Sequence, residues 1–391
     1  MAKKVLYVVG GRSFSSSNPG RKISEVIAVW KRLNIKVEVF FGKDLISGKR
    51  ESQNNYGNQS HFNSSYRKKK LLQFFIHSVS EIRDILHDLK LYKKIKNNYS
   101  HDLIWERSSR LHWAGLRLSK KLDIPFVLEW KDHLIDYKFS LFKWYALYIE
   151  RKKIRSANFI VVESNVLKLQ LIEQGIDANK IYVALNAVNP DEFLKDPLQA
   201  IRFKEKIGVP NADIVVGYLG SYAFYHNTEL LVHAANKILK KENNVHFVLV
   251  GNGKDYDRCR ELAQNYGILN NGLVLIDGVP KEEVPGILSA IDISILPGST
   301  DIICPIKIME YMASETAVIA PDYDCNREVI NNDFNGLLFN AKSKEDLVAK
   351  IISLFSEEKR NLLALNARNY VKENLVWEQT WGKVLIDILN D

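Results

Sequence analysis

A chain of 391 residues is longer than one hydrophobic core comfortably organises, so two domains of roughly 150–200 residues each are expected. Its 46% hydrophobic and 26% charged residues are those of a globular protein, and no run of about 18 apolar residues is present to cross a membrane. The net charge of +9 is lopsided: residues 1–200 hold 35 Lys and Arg against 20 Asp and Glu, residues 201–391 hold 20 against 26, and the imbalance points to an anionic partner for the first half.

The opening MAKKVLYVVGG has too short an apolar run for a secretory signal and reads as a first buried strand over 5–9, ended by Gly10 and Gly11. A helix over about 23–33 and a strand over 36–41 follow, the order of a parallel βαβ unit. Residues 43–66 are polar and aperiodic and read as a mobile loop. Arg67, Lys68, Lys69 and Lys70 then run straight into LLQFFI. Strand-like runs recur at 103–105, 126–129 and 159–162, and residues 139–155 read as an aromatic, basic helix.

The second half has a cleaner rhythm. Strands are expected at 214–219, 246–250, 273–276, 291–296 and 317–320, with helices at 230–239, from 256, at 282–290 and at 305–314. Successive βα units of this kind describe a doubly wound sheet, and prolines at 190, 197 and 210 mark the seam between domains near 190–210. Cys259, Cys304 and Cys325 have neither metal nor disulfide-framework spacing, which suits reduced thiols in the cytoplasm.

Three strands end in glycine turns: Gly10-Gly11, Gly220-Ser221 and Gly251-Asn252-Gly253. Glycine lets a backbone approach a phosphate, and a following helix N-terminus offers unpaired N–H groups and partial positive charge. Two such domains in series suit a nucleoside diphosphate held in a cleft between them, although each turn alone is also an ordinary structural feature. The segment CPIKIMEYMA is more specific. Pro305 suits a first helical turn, and Lys307 and Glu310 share one helix face. The lysine can meet a diphosphate and the glutamate can accept from two vicinal ribose hydroxyls; a plain surface ion pair has the same spacing.

From residue 248 to 339 the chain resembles glycosyltransferase family 4, through VLVGNG, DGVPKEEVPGILSAIDISILP, CPIKIMEYMASETAVIAP, REVI and NGLLF. Weaker matches lie at GYLGS, at LNAVNPDEF and in the run from Ser156. The resemblance implies a GT-B fold, α/β throughout, with two Rossmann-like doubly wound domains facing across a cleft. Residues 1–195 would bind the acceptor and residues 196–374 the nucleotide sugar, with 375–391 crossing back to the first domain. It implies a retaining, metal-independent transfer from a nucleoside-diphosphate sugar, with no further cofactor. The expected donor contacts are Gly11, Gly220, Ser221, His226, Gly251, Asn252, Gly253, Val279, Pro305, Ile306, Lys307 and Glu310; Lys307, Glu310 and Asp132 are the candidates for catalysis.

The sequence also departs from the family pattern. Two family glutamates stand eight positions apart; Glu310 matches the second, but the first falls on Ile302, with Asp301 one place out of register. The family's phosphate-clamping Arg and Lys fall near Ser221 and His226, so Lys307 is expected to supply the charge. In Glu129-Trp130-Lys131-Asp132, Lys131 takes a family histidine's place, with His133 nearby.

The basic first half, with its run from Arg67 and its aromatic helix, suits an anionic membrane surface and a lipid-linked or polysaccharide acceptor at the inner face of the cell membrane. No nucleic-acid partner is expected, because no recognition motif accompanies the basic residues. Transfer to a soluble sugar, or an inactive subunit that partners another transferase, are the alternatives at this point.

Overall fold

The computed structural model describes residues 3–10, 17–41, 66–97, 100–131 and 140–391. They form two compact units: Met1–Val162 with Gln170–Val183 and Trp381–Asp391, and Glu163–Leu169 with Ala184–Thr380. The expected loop at 43–66 lies outside the described residues except for Tyr66.

The first unit alternates β1 (Lys4–Val9), α1 (Ser17–Arg32), β2 (Lys36–Phe41), α2 (Tyr66–Ile95), β3 (Leu103–Arg107), α3 (Ala114–Leu122), β4 (Phe126–Glu129), α4 (Lys143–Ser156), β5 (Phe159–Val162), α5 (Asn165–Glu173) and β6 (Ile181–Val183). Its sheet is parallel throughout, in the order β2-β1-β3-β4-β5-β6. Val5 through Val9 are all buried, as a central parallel strand covered on both faces requires. Ile23, Val26, Val29 and Trp30 bury one face of α1. Trp30 meets Trp105 edge-on at 4.7 Å, Trp105 meets Trp381 at 6.3 Å, and the Trp30 indole N–H donates to the Trp381 carbonyl at 3.2 Å.

α2 is oriented against the usual rule. Its inward face carries the buried carboxylates Glu81 and Asp88. Asp88 accepts from the Trp113 and Ala114 N–H groups at 2.9 Å, at the start of α3, and pairs with Arg117 at 2.5 Å. Glu81 accepts from the Leu141 and Phe142 N–H groups at 2.8 and 3.2 Å, at the start of α4, and from the Ser140 hydroxyl. One helix thus supplies acceptors for the N–H groups that open two others, where neither Trp113 nor Phe142 offers a side-chain cap.

The second unit, which also holds the start of α5, has α6 (Pro197–Lys206) and builds its sheet from β7 (Ile214–Leu219), β8 (Val245–Val250), β9 (Leu273–Ile276), β10 (Ile293–Ile295), β11 (Ala317–Pro321) and β12 (Leu337–Phe339). The sheet is parallel, in the order β12-β11-β10-β7-β8-β9. Helices α7 (Thr228–Leu239), α8 (Tyr256–Asn265), α9 (Val284–Ser289), α10 (Ile306–Ala313), α11 (Asp324–Arg327), α12 (Lys344–Ser353) and α13 (Glu357–Asn374) follow the strands; α14 (Lys383–Asn390) belongs to the first unit. The strand order reverses between β7 and β10, and the carboxyl ends of strands at such a switch point are where open α/β sheets place ligands. Both units therefore have the expected doubly wound α/β architecture.

Candidate functional site

At the β7–β10 switch point the backbone is packed as tightly as glycine permits. The Gly220 N–H donates to the Val250 carbonyl at 2.9 Å, and the Tyr222 N–H to the Asn252 carbonyl at 2.8 Å, so the turns after β7 and β8 are bonded together. Gly251 has φ +140°, and a Cβ there would stand 1.8 Å from the Gly220 carbonyl oxygen. Gly253, with φ +149°, meets Tyr222 backbone in the same way. These two positions need glycine for both conformation and space. The Tyr311 hydroxyl accepts from the Leu219 N–H and donates to the Leu219 carbonyl, each at 3.0 Å, which fixes the end of β7 to α10. The Tyr218 hydroxyl donates to the Ser221 carbonyl at 2.7 Å.

Lys307 comes up beneath this turn from the first turn of α10. A Cβ on Gly220 would sit 2.0 Å from the Lys307 Nζ, so the missing side chain is the space the cation occupies. The Nζ lies 3.2 Å from His226 Nε2 and 5.4 Å from the centre of the Tyr218 ring. His226 is buried and its Nδ1 faces the Gly298 carbonyl at 3.1 Å. A carbonyl only accepts, so Nδ1 carries the proton and Nε2 accepts from the ammonium. Burial and then the Lys307 charge push the His226 pKa down to about 4, so the ring is neutral at pH 7. Burial lowers Lys307 to about 8 against the opposing pull of Glu310, one turn on. The result is a cation at the switch point whose desolvation an anion would relieve.

Val279 and Ile306 pack partly buried against the core, and Asn252 lies close to Gly278, where a Cβ would meet its Nδ2 at 2.9 Å. Ser221 and Asn252 are exposed, and Glu310 is half-buried. Pro305 departs from expectation: it stands at the N-cap with ψ 140°, one place before α10 rather than inside its first turn. Its missing N–H is as harmless there, because that N–H too has no intrahelical partner. Where the family glutamate was expected, the backbone is in use instead: the Ile302 carbonyl accepts from the Ser164 hydroxyl at 2.5 Å and the Cys304 carbonyl from Asn186 Nδ2 at 3.0 Å. The Asp301 side chain is exposed.

Sequence reasoning passed over Ser299. It follows Pro297-Gly298 at the end of β10, a fourth strand–glycine turn on the switch point. Its hydroxyl is buried with no hydrogen-bond partner among the described residues, as is that of Tyr222. The signal was the PGS turn itself, read only as a strand end.

In the first unit the switch point lies between β1 and β3. Gly10 closes β1 against His112, whose Cγ a Cβ would approach to 2.5 Å. Glu129, at the end of β4, accepts from the Tyr7 hydroxyl at 2.8 Å and the Trp105 indole at 3.2 Å and pairs with Arg107. Burial, then the Glu129 charge, hold the Tyr7 hydroxyl well above its usual range. Glu106 is pushed up to about 7 by burial, against the pull of Lys153 3.5 Å away. Gly11, Asp132 and His133 lie outside the described residues; Lys131 is described and half-buried.

A doubly wound sheet with a half-buried lysine under a glycine turn at its switch point is an α/β arrangement that suits an anionic ligand. The chain belongs to the group 1 glycosyltransferases: residues 199–373 match the model described as Glycosyl transferases group 1, and residues 24–192 that described as Glycosyltransferase Family 4. An uncharacterized glycosyltransferase of Methanocaldococcus jannaschii is 27% identical over 249 residues, 63% of this chain and 62% of that relative. The match thus spans less than two thirds of that relative's length. A glycosyltransferase from Rickettsia africae superposes with a TM-score of 0.71 over 98% of this chain and 97% of its own, at 22% identity. Anabaena HepE in complex with UDP gives 0.70 over 99% and 100%, at 16% identity. Both solved structures share the two-domain GT-B fold with this chain.

Proposed function

We propose that the protein moves a sugar, with retention and without a metal ion, from a nucleoside-diphosphate donor to a lipid-linked or polysaccharide acceptor at the inner face of a membrane. The observation that carries this reading is Lys307 beneath Gly220 with neutral His226 beside it. A diphosphate there would accept from the ammonium and from the Ser221 amide, and its charge would be met by groups already in place. Ser299 offers a further hydroxyl. Glu310, one turn along α10, would accept from the ribose hydroxyls. Catalysis then rests on positioning and on stabilising the departing diphosphate, which itself helps take the acceptor's proton. In the first unit, the Gly10-Gly11 turn and Asp132 are the proposed neighbours of the sugar and acceptor. Among the described residues no helix is long and apolar enough to cross a membrane, and the excess of basic residues in the first half supports contact with an anionic surface instead.

UDP, which HepE binds, is the first nucleotide to test. In calorimetry or thermal shift against UDP, GDP, ADP, dTDP and CDP without metal, one nucleotide should bind and Glu310→Ala should weaken it. Binding of none would sink the transferase reading and favour an inactive subunit.

A further inference from the structure

We infer that the outward face of α2, together with the start of α4, is a surface that inserts into the interfacial layer of an anionic bilayer. The inference rests on the acceptor reading above and names the surface that delivers it. α2 turns Glu81 and Asp88 inward and buries Leu91 and Ile95 near its end, while the apolar residues along its middle are left outside. Phe75 (66% exposed), Val79 (63%), Ile82 (47%), Leu86 (51%) and Leu89 (43%) fall on one stripe, about 21 Å long at the helical rise. The start of α4 is tied to it by Glu81, and Ile85 of α2 shares the cluster of Leu111, Ala146 and Ile149 with Phe142 and Tyr145; Trp144 at 71% exposure lies there with exposed Leu141 and Tyr148. Tryptophan and tyrosine at the edge of an apolar stripe suit the headgroup level of a membrane.

Charge decides the occupant. The stripe's steps of four and three residues also fit a two-helix seam with a second copy. However, the sequence of α2 holds eight Lys and Arg against three Asp and Glu, and two of the three acids are the buried pair. Arg67, Lys68, Lys69 and Lys70 open the helix in sequence, and exposed Lys90, Lys93 and Lys94 close it. Parallel or antiparallel, two copies would set cations against cations, whereas anionic lipid headgroups complement both ends. Exposed Lys143 and Arg151 on α4 add to the same charge.

The test uses the full chain, sedimented at physiological salt with phosphatidylcholine vesicles and with vesicles containing about one-third phosphatidylglycerol. Binding to the anionic vesicles alone is expected, with a blue shift of tryptophan emission that Trp144→Phe removes. Val79→Asp with Leu86→Asp should weaken vesicle binding at least about tenfold while UDP affinity, a property of the second unit, stays unchanged. If the helical circular dichroism of that variant falls, Lys90→Glu with Lys93→Glu gives the same comparison. Wild-type protein left in the supernatant, or variants that pellet equally well, overturn the inference. A dimer in light scattering that Val79→Asp and Leu86→Asp dissolve would assign the stripe to a second copy and overturn it as well. Vesicle binding with no nucleotide bound would leave the surface standing and remove the transferase reading.

Discussion

Lys307 and His226 make opposite demands on pH. Lys307, lowered from 10.5 to about 8, is charged at pH 7 and loses its proton as pH rises through about 8. UDP affinity should therefore be greatest below that point and fall above it, with the pH dependence absent in Lys307→Ala. That variant should bind at least about tenfold more weakly at pH 7 in calorimetry, as expected for a lost charge-assisted contact. Stability of the ligand-free protein moves the other way. The unfolded chain keeps this proton up to 10.5, so folding gains between about 8 and 10.5. His226 adds a loss of stability as pH falls from 6.5 toward about 4, because the unfolded ring takes up a proton that the folded one refuses. Denaturant titrations from about pH 4 to 10.5 check both, since each group makes stability rise with pH within its own window. Tyr311→Phe removes the hydroxyl that serves both backbone groups of Leu219. Two unpaired groups at a half-buried strand end should cost about 1–3 kcal/mol in the same assay.

Among the elements, the glycine turns and the inverted helix carry the sharpest expectations. Gly251→Ala forces a Cβ against the Gly220 carbonyl at an unfavourable φ and should destabilise the second unit by about 2 kcal/mol or more, with UDP binding lost alongside. Asp88→Ala uncaps α3 and strands Arg117; a loss of about 2–3 kcal/mol in chemical denaturation is expected. The strands were legible because short apolar runs such as FVLE and FIVV stand between turn residues, and the structure returns 36–41, 126–129, 159–162, 214–219 and 273–276 with the expected bounds. β6 and β12 were not read as strands: three residues give too little period to recognise. The thirty residues of α2 were missed for a different reason. A helix that turns Glu81 and Asp88 to the fold and Val79, Ile82, Leu86 and Leu89 outward, burying Leu91 and Ile95 near its end, presents no continuous stripe that points to a core. The switch-point site was half legible. Lys307 and the glycines announce themselves in sequence, whereas the pairing of Lys307 with His226 joins positions 81 residues apart and depends on strand order.

On the scale of the whole molecule, the two proposed surfaces are separate in sequence and should separate in hydrogen exchange. UDP should slow exchange at 219–222, 251–253 and 299–307, and anionic vesicles at 75–89 and 141–148, with neither ligand protecting the other's set. Cross-protection would mean that the assignments overlap. One further consequence follows from Trp381, which is wholly buried against the tryptophans of the first unit although the second unit is encoded before it. During synthesis, residues up to Val162 wait for that ring while roughly 200 more are added, about 20 s at roughly 10 residues per second. For that interval the nascent first unit carries an unfilled slot beside Trp30 and Trp105. A chain ended just before Trp381 should therefore show a first unit that is open to proteases and chaperones.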